Sequence, residues 1–173
     1  MDKQRTISEE LLSMACSKGL CKPFREAWKE QDKHDLVEVF KANPDWCLER
    51  GFPDLAFLKE HFDNKEQQAQ GVYIDKDVMD LILTDQVYMF INCTGECRVS
   101  FDRSKAIFPM IYVSMGSYMK FVIEDSNTPI QLYDDSYVDV STIGTGKCTV
   151  YNYGKGSVSY PENTNIKVIK KNG

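Results

Sequence analysis

Two pairs of neighbouring carboxylates are the residues of this chain that could most readily do acid–base chemistry. They are Glu124-Asp125 and Asp134-Asp135, and both pairs follow short apolar segments. Paired carboxylates hydrolyse glycosides, and the separation of the two groups decides the stereochemical outcome. Asp is also frequent in turns because its side chain bonds nearby backbone N–H groups. We favour the turn interpretation, so no catalytic residue is predicted and a non-enzymatic protein is favoured over an enzyme.

Cys93 and Cys97 come closest to a metal-binding pattern. A structural zinc site needs four sulfur or nitrogen ligands, which often come from two short-spaced pairs. The other close cysteine pair is Cys16 and Cys21, and its spacing does not complete a known ligand motif. We therefore predict no metal and no cofactor, and we expect the cysteines to be small buried hydrophobic residues.

Tyrosines are the side chains best suited to binding a partner. Tyr133 and Tyr151 are predicted to point outward at equivalent positions of neighbouring repeats, with Tyr112 on the same face, and Tyr118 and Tyr137 are predicted to do so on the other face. Tyrosine offers a large, rigid contact area and is enriched in interfaces. The alternative is that the rings stack on one another and only stabilise the sheet.

A repeat that begins at Ile91 would position these side chains. Its unit is two apolar residues that flank one mostly polar residue, and two sets of units alternate along the chain. The first set begins at Ile91, Ile111, Ile130, Cys148 and Ile166, and the second at Val99, Met119, Val138 and Val158. Members of one set lie 18 to 20 residues apart, and a fixed period of this size is typical of stacked coils.

The repeat predicts an α+β protein in which a small N-terminal helical head precedes a short two-sheet β-solenoid, that is, a single-stranded β-helix. Within each unit the two apolar residues face inward and the residue between them faces solvent. The alternative is an antiparallel β-sandwich with a helical cap, because strand starts 8 to 12 residues apart also describe that class.

Three segments are expected. Residues 1–62 form the helical head, since Thr6 and Glu9 have capping-box spacing and Gly or Pro punctuates the later helices. Residues 63–90 form a connector and cap, with one isolated strand at 71–75 and a short helix or turn near residues 78–83. Residues 91–173 form the solenoid repeats.

The net charge and the lengths of the apolar runs limit the classes of partner that the chain could bind. The net charge is −5 and the pI is about 5.1, which argues against general affinity for nucleic acid. Residues 63–143 carry 6 basic and 13 acidic groups, whereas residues 144–173 carry 5 and 1. No apolar run approaches the roughly 20 residues that span a bilayer, and residues 1–10 do not resemble a signal peptide. We expect a cytoplasmic protein that does not enter membranes.

The chain resembles a group of small uncharacterised proteins encoded by gut-dwelling Bacteroidetes and by their bacteriophages or other mobile elements. The matching stretches are residues 44–58 (PDWCLERGFPDLAFL), 71–75 (GVYID) and 148–154 (CTVYNYG). The resemblance implies a helical head joined to short repeats of β-branched residues, and it implies no activity and no catalytic residue.

These observations favour a non-enzymatic interaction or structural module. Its solenoid would present a tyrosine-bearing face to a protein partner, to a second copy or to a glycan. A carbohydrate-active enzyme that uses the turn carboxylates is the first alternative, and a nucleic-acid-associated protein of a mobile element is the second.

Overall fold

The computed structural model describes residues 6–20, 25–26, 33–62, 65–84, 86–100, 109–162 and 165–171. The chain divides into two compact units, Met1–Gln67 and Gln68–Gly173. The described helices are α1 (Ile7–Ser17), α2 (Lys33–Ala42), α3 (Pro44–Glu49), α4 (Leu55–Phe62) and α5 (Lys65–Ala69).

Local signals in the sequence fix where these helices begin and end. Thr6 caps α1, because its hydroxyl accepts a hydrogen bond from the Glu9 N–H at 3.2 Å while the Glu9 carboxylate accepts one from the Thr6 N–H at 3.0 Å. Pro44 occupies the first turn of α3, and Gly51, with φ at +54°, follows its end. Pro23, which also suits the first turn of a helix, lies outside the described residues.

Eleven strands are described in the second unit. They are β1 (Val72–Ile74), β2 (Asp77–Leu83), β3 (Val87–Ile91), β4 (Thr94–Ser100), β5 (Met110–Ser114), β6 (Tyr118–Glu124), β7 (Asn127–Leu132), β8 (Tyr137–Ile143), β9 (Lys147–Asn152), β10 (Ser157–Ser159) and β11 (Ile166–Lys170). The odd-numbered strands form a six-stranded sheet, and the even-numbered strands form a five-stranded sheet in the order β10-β8-β6-β4-β2.

The described strands pair only in parallel, and each pairs with the strand two places along the chain. The chain therefore alternates between the two sheets and advances by one strand spacing per turn. This confirms the α+β fold with a two-sheet β-solenoid of about five turns. The antiparallel sandwich is wrong, because its neighbouring strands would run in opposite directions.

The core lies between the two sheets. Along β6, Met119, Phe121 and Ile123 are buried while Tyr118 and Lys120 are exposed, and this alternation is the two-residue period of a strand with one dry face. The same inward rows continue through the neighbouring strands, so that apolar side chains stack turn upon turn.

The observed register differs from the sequence alignment of the repeats in several turns. Ile111 pairs with Ile130 as expected, but Ile130 pairs with Val150, and Cys148 pairs with Thr128. The discrepancy is two residues here and four between Val99 and Met119, because Val99 pairs with Ile123; an even shift leaves every side chain on the same face of its sheet.

Between Ile91 and Ile111 the discrepancy is three residues, because Ile111 pairs with Tyr88. This odd shift places Ile91 on the opposite side of the sheet from Tyr88 and Phe90, which belong to the core, so its predicted inward position is wrong. The apolar period does not reveal the even shifts, and the continuous apolar run of β3 gives no alternation that would reveal the odd one.

The solenoid also begins before residue 91. Strands β1, β2 and β3 all precede that residue or end on it, so much of the segment expected to be a connector and cap belongs to the first turns. Residues 77–83 form a strand and not a short helix or turn. The pairing of β2 with β4 is interrupted between Val78 and Leu81, and such a bulge removes the strict alternation by which a strand is recognised.

Candidate interaction surface

The outer face of the five-stranded sheet carries four parallel rows of side chains. Because the strands pair in register, each row runs along the solenoid axis, one residue per turn. The first row is Asp77, Thr94, Tyr118, Tyr137 and Ser157; the second is Glu96, Lys120, Asp139 and Ser159; the third is Ile82, Arg98, Val122 and Ser141; the fourth is Ser100, Glu124 and Ile143. We call this set of rows the outer face.

Tyr118 and Tyr137 form an aromatic stack in the first row. Their ring centroids are 4.5 Å apart and their planes differ by 13°, which is the spacing that neighbouring strands impose. Tyr118 is 47% exposed and Tyr137 is half-buried. The rings cover one another's facing sides, so the stack offers their edges and hydroxyl groups to solvent.

The other three candidate tyrosines lie on the six-stranded sheet or at its ends. Tyr112 and Tyr133 are buried, with 6% and 2% of their surface exposed. Tyr133 stacks on Tyr153 at a centroid distance of 5.0 Å, and Tyr151 is half-buried with the Lys171 ammonium 5.2 Å from its ring centroid. Tyr112 and Tyr133 are thus packing residues in this structure, and only Tyr118, Tyr137 and Tyr151 retain substantial exposure.

The expected equivalence of Tyr133 and Tyr151 does not match the register. Tyr151 pairs with Gln131, and Gln131 pairs with Tyr112. Tyr151 therefore shares a row with Tyr112 and lies two residues away from the level of Tyr133. The equivalence of Tyr118 and Tyr137 holds, because these two residues are direct neighbours in the ladder between β6 and β8.

Exposed apolar side chains concentrate on the strands of the same sheet. Met79 is 70% exposed, Ile82 59% and Ile143 53%, and together with Tyr118 they lie on β2, β8 and β6. Tyr160, which follows β10 directly, completes the set of large exposed apolar residues in the described part of the chain. Sequence reasoning missed Met79 and Ile82 because residues 77–83 were not expected to be a strand.

Charges of both signs lie among these apolar residues. Lys120 lies between Glu96 and Asp139 in the second row. Arg98 and Glu124 on neighbouring strands form an ion pair at 2.9 Å. Exposed pairs of this kind contribute about 0–1 kcal/mol, so these charges add little to stability.

A shallow open pocket of about 280 Å³ lies on the outer face between β2 and β6. Its lining is Asp80, Ile82, Glu96, Cys97, Arg98 and Val122. The pocket combines apolar side chains with two acidic groups and one basic group, a composition that suits a side chain of a protein partner.

The turn carboxylates act on the backbone of the solenoid corners. The Asp134 carboxylate accepts hydrogen bonds from the N–H groups of Met115, Gly116 and Ser136, and the Asp125 carboxylate accepts one from the Thr145 N–H at 2.7 Å. These bonds tie each turn to its neighbour, which is the structural role that Asp commonly has in turns.

The two carboxylate pairs are also far apart. Glu124 and Asp125 lie at the C-terminal end of β6, whereas Asp134 and Asp135 precede the N-terminal end of β8, which pairs in parallel with β6. A seven-residue strand separates the two corners, a distance of roughly 20 Å. Inverting and retaining glycosidases need their carboxyl groups within about 10 Å, so these pairs do not form such a site.

Burial keeps the cysteines of the solenoid protonated. It raises the pKa of Cys93 to about 11 and the pKa values of Cys97 and Cys148 to about 12. The Cys93 thiol lies 3.3 Å from the Tyr73 carbonyl oxygen. Since the thiolate is the form that attacks substrates and binds metals, these three groups act as small apolar residues.

The described residues contain no group of three or more His, Cys, Asp or Glu side chains arranged to hold a metal ion. Within the same residues, no helix is both long enough and apolar enough to cross a membrane. Comparison of the chain with protein-family models, with curated proteins and with solved structures gives no match.

Proposed function

We propose that this protein is a non-enzymatic interaction module that binds a protein partner through the outer face. The observation that carries the proposal is the gathering of exposed apolar residues on one sheet. Met79, Ile82, Tyr118 and Ile143 lie on strands of the five-stranded sheet. These residues lie among charged groups of both signs, and exposed tyrosine and methionine side chains are enriched in protein interfaces.

The arrangement suits a protein better than a glycan. Sugars bind aromatic residues by lying flat on a ring, but Tyr118 and Tyr137 stack on each other at 4.5 Å and so cover part of the ring surface such binding needs. Protein interfaces instead combine tyrosine edges, aliphatic side chains and charges of both signs, and the outer face offers all three.

Site-specific photo-crosslinking tests the proposal. A benzoylphenylalanine side chain placed at position 118 keeps an aromatic group on the outer face, and the same side chain at position 151 is the matched control on the six-stranded sheet. When each variant is expressed in the organism that encodes this chain, we expect the yield of crosslinked adducts from position 118 to be at least fivefold higher than the yield from position 151. Equal yields at the two positions, or adducts from position 151 alone, would contradict the proposal.

A further inference from the structure

We infer that one partner of the outer face is a second copy of this chain, bound face to face about a two-fold axis that runs parallel to the strands between β6 and β8. The inference rests on the proposed function, since it names an occupant for the same surface. Closed two-fold dimers are the commonest assemblies of identical chains, and they require a surface that is complementary to itself.

The ladder register determines which residues would meet. A two-fold axis parallel to the strands keeps each row opposite itself and exchanges β6 of one copy with β8 of the other. Lys120 then lies opposite Asp139 of the second copy, and Tyr118 lies opposite Tyr137, because these pairs are neighbours in the ladder. Symmetry makes each contact twice, so the dimer would contain two attractive charge pairs flanked by two pairs of tyrosines.

Other positions of an axis parallel to the strands bring like charges together or leave Lys120 without an opposite charge. An axis along β6 places Lys120 opposite Lys120 of the second copy and Glu96 opposite Asp139, and an axis along β8 opposes the two Asp139 residues. An axis between β4 and β6 pairs Glu96 with Lys120, but it carries Asp139 onto the bulge of β2 beside Asp80. Like charges opposed across an interface cost several kcal/mol. Among axes parallel to the strands, the position between β6 and β8 therefore opposes Lys120 to a carboxylate without opposing like charges.

The interface is small. In this register β4, β6, β8 and β10 of one copy face β10, β8, β6 and β4 of the other, and β2 has no strand opposite it. Four strands about 4.8 Å apart and up to seven residues of about 3.3 Å each give roughly 400 Å² per copy. The total of about 800 Å² is the size of a weak, transient interface, so we expect a dissociation constant of about 100 µM.

The test uses charge reversal and mixing. Analytical ultracentrifugation of the full chain at 5–300 µM should show a concentration-dependent dimer. The substitution Lys120→Glu places two carboxylates opposite each other at this contact, and Asp139→Lys places two ammonium groups there. Each variant alone should therefore dimerise at least tenfold more weakly than the unaltered chain. Circular dichroism of each variant checks that it keeps its fold.

An equimolar mixture of the two variants should form a heterodimer, because both contacts then join opposite charges. Either variant alone retains its own unfavourable interaction between strands, which mixing does not change, so recovery on mixing reports contacts between copies. The doubly reversed chain should dimerise like the original. A monomer at 300 µM, or a dimer that neither charge reversal weakens, would overturn the inference. Adducts from position 118 whose mass is not a multiple of 19.9 kDa would then still support the proposed function with a different partner.

Discussion

Asp134 shows how a single exposed residue organises a corner of the solenoid. Its carboxylate accepts hydrogen bonds from backbone N–H groups of its own turn and of the preceding one, and its backbone has φ at +50°. Asp and Asn adopt this left-handed conformation more readily than most residues do. Asp75, Asn92 and Met115 have φ between +52° and +55° at the matching corners of earlier turns, so the same bend recurs along the stack.

Replacing Asp134 therefore tests the corner directly. Asp134→Ala removes the acceptor for several N–H groups and leaves a residue that resists positive φ, so we expect the free energy of unfolding to fall by about 1–2 kcal/mol. Asp135→Ala is the matched control, because Asp135 is an exposed neighbour outside this set of bonds, and it should change stability by less than about 0.5 kcal/mol. Urea denaturation measures both, and equal effects would contradict the assigned role.

The buried thiols predict how stability depends on pH. Folding raises the pKa values of Cys93, Cys97 and Cys148 above their ordinary value near 9, so the folded state keeps protons that the unfolded state releases. This contribution is complete below pH 9 and is lost as the pH rises from about 9 towards 11–12. The unfolding free energy from urea titrations should decline over that alkaline window, and it should decline less steeply in Cys97→Ala. A slope that the substitution leaves unchanged would exclude this cause.

Gly95 lies where β2 and β4 approach each other too closely for a side chain at this position. A Cβ on Gly95 would lie 1.8 Å from the Val78 carbonyl oxygen, beside the bulge that interrupts the pairing of β2 with β4. Gly116 also has positive φ, at +75°, but its Cβ would meet nothing within 3.9 Å. Gly95, with φ at +145°, is therefore required both by backbone conformation and by close contact, whereas Gly116 is required by backbone conformation alone.

This difference leads to a paired substitution. Gly95→Ala forces backbone atoms apart, so we expect a loss of more than about 3 kcal/mol, whereas Gly116→Ala should cost only the roughly 1–2 kcal/mol of left-handed strain. Thermal unfolding followed by circular dichroism compares the two variants. A smaller loss for Gly95→Ala than for Gly116→Ala would contradict the described pairing of β2 with β4.

The sequence was sufficient to predict the alternation of two sheets, because buried apolar pairs such as Ile111 and Val113 recur with the period of a turn. It was insufficient where backbone geometry interrupts that period. The bulge interrupts the alternation of β2, so the strand and its exposed residues Met79 and Ile82 were not predicted. Register errors of two and four residues left the side chains on their predicted faces, and the error of two misplaced Tyr151 relative to Tyr133. The error of three residues in β3 assigned Ile91 to the wrong side of its sheet.

Burial of the tyrosines could not be read from the pattern. Alternation along a strand predicts which side of its sheet a residue faces, and it placed Tyr112 on the outer side of the six-stranded sheet. It does not predict what else covers that side, yet Tyr112 and Tyr133 are buried in the structure. Of the five candidate tyrosines, only Tyr118, Tyr137 and Tyr151 keep side-chain surface that a partner could contact, and this difference is seen only in the three-dimensional structure.

Charge varies along the chain, whereas the core of the solenoid is apolar in every turn. The balance is −7 over residues 63–143 and +4 over residues 144–173. Association through Lys120 and the half-buried Asp139 is an attraction between charges at the protein surface, which salt screens over about 8–10 Å at physiological ionic strength. The dimer dissociation constant should therefore rise severalfold between 50 and 500 mM NaCl in sedimentation equilibrium. A constant that falls with added salt would indicate association driven by apolar contacts alone.

Hydroxyl-radical footprinting tests most directly whether the outer face is the interaction surface. Met79 and Tyr118, which are 70% and 47% exposed, should be oxidised in the dilute purified protein. In the complex isolated from cells that encode the chain, at least one of them should be protected severalfold, while Tyr151 on the six-stranded sheet keeps its rate. Protection of Tyr151 with unchanged oxidation of Met79 and Tyr118 would place the partner on another surface and contradict the account.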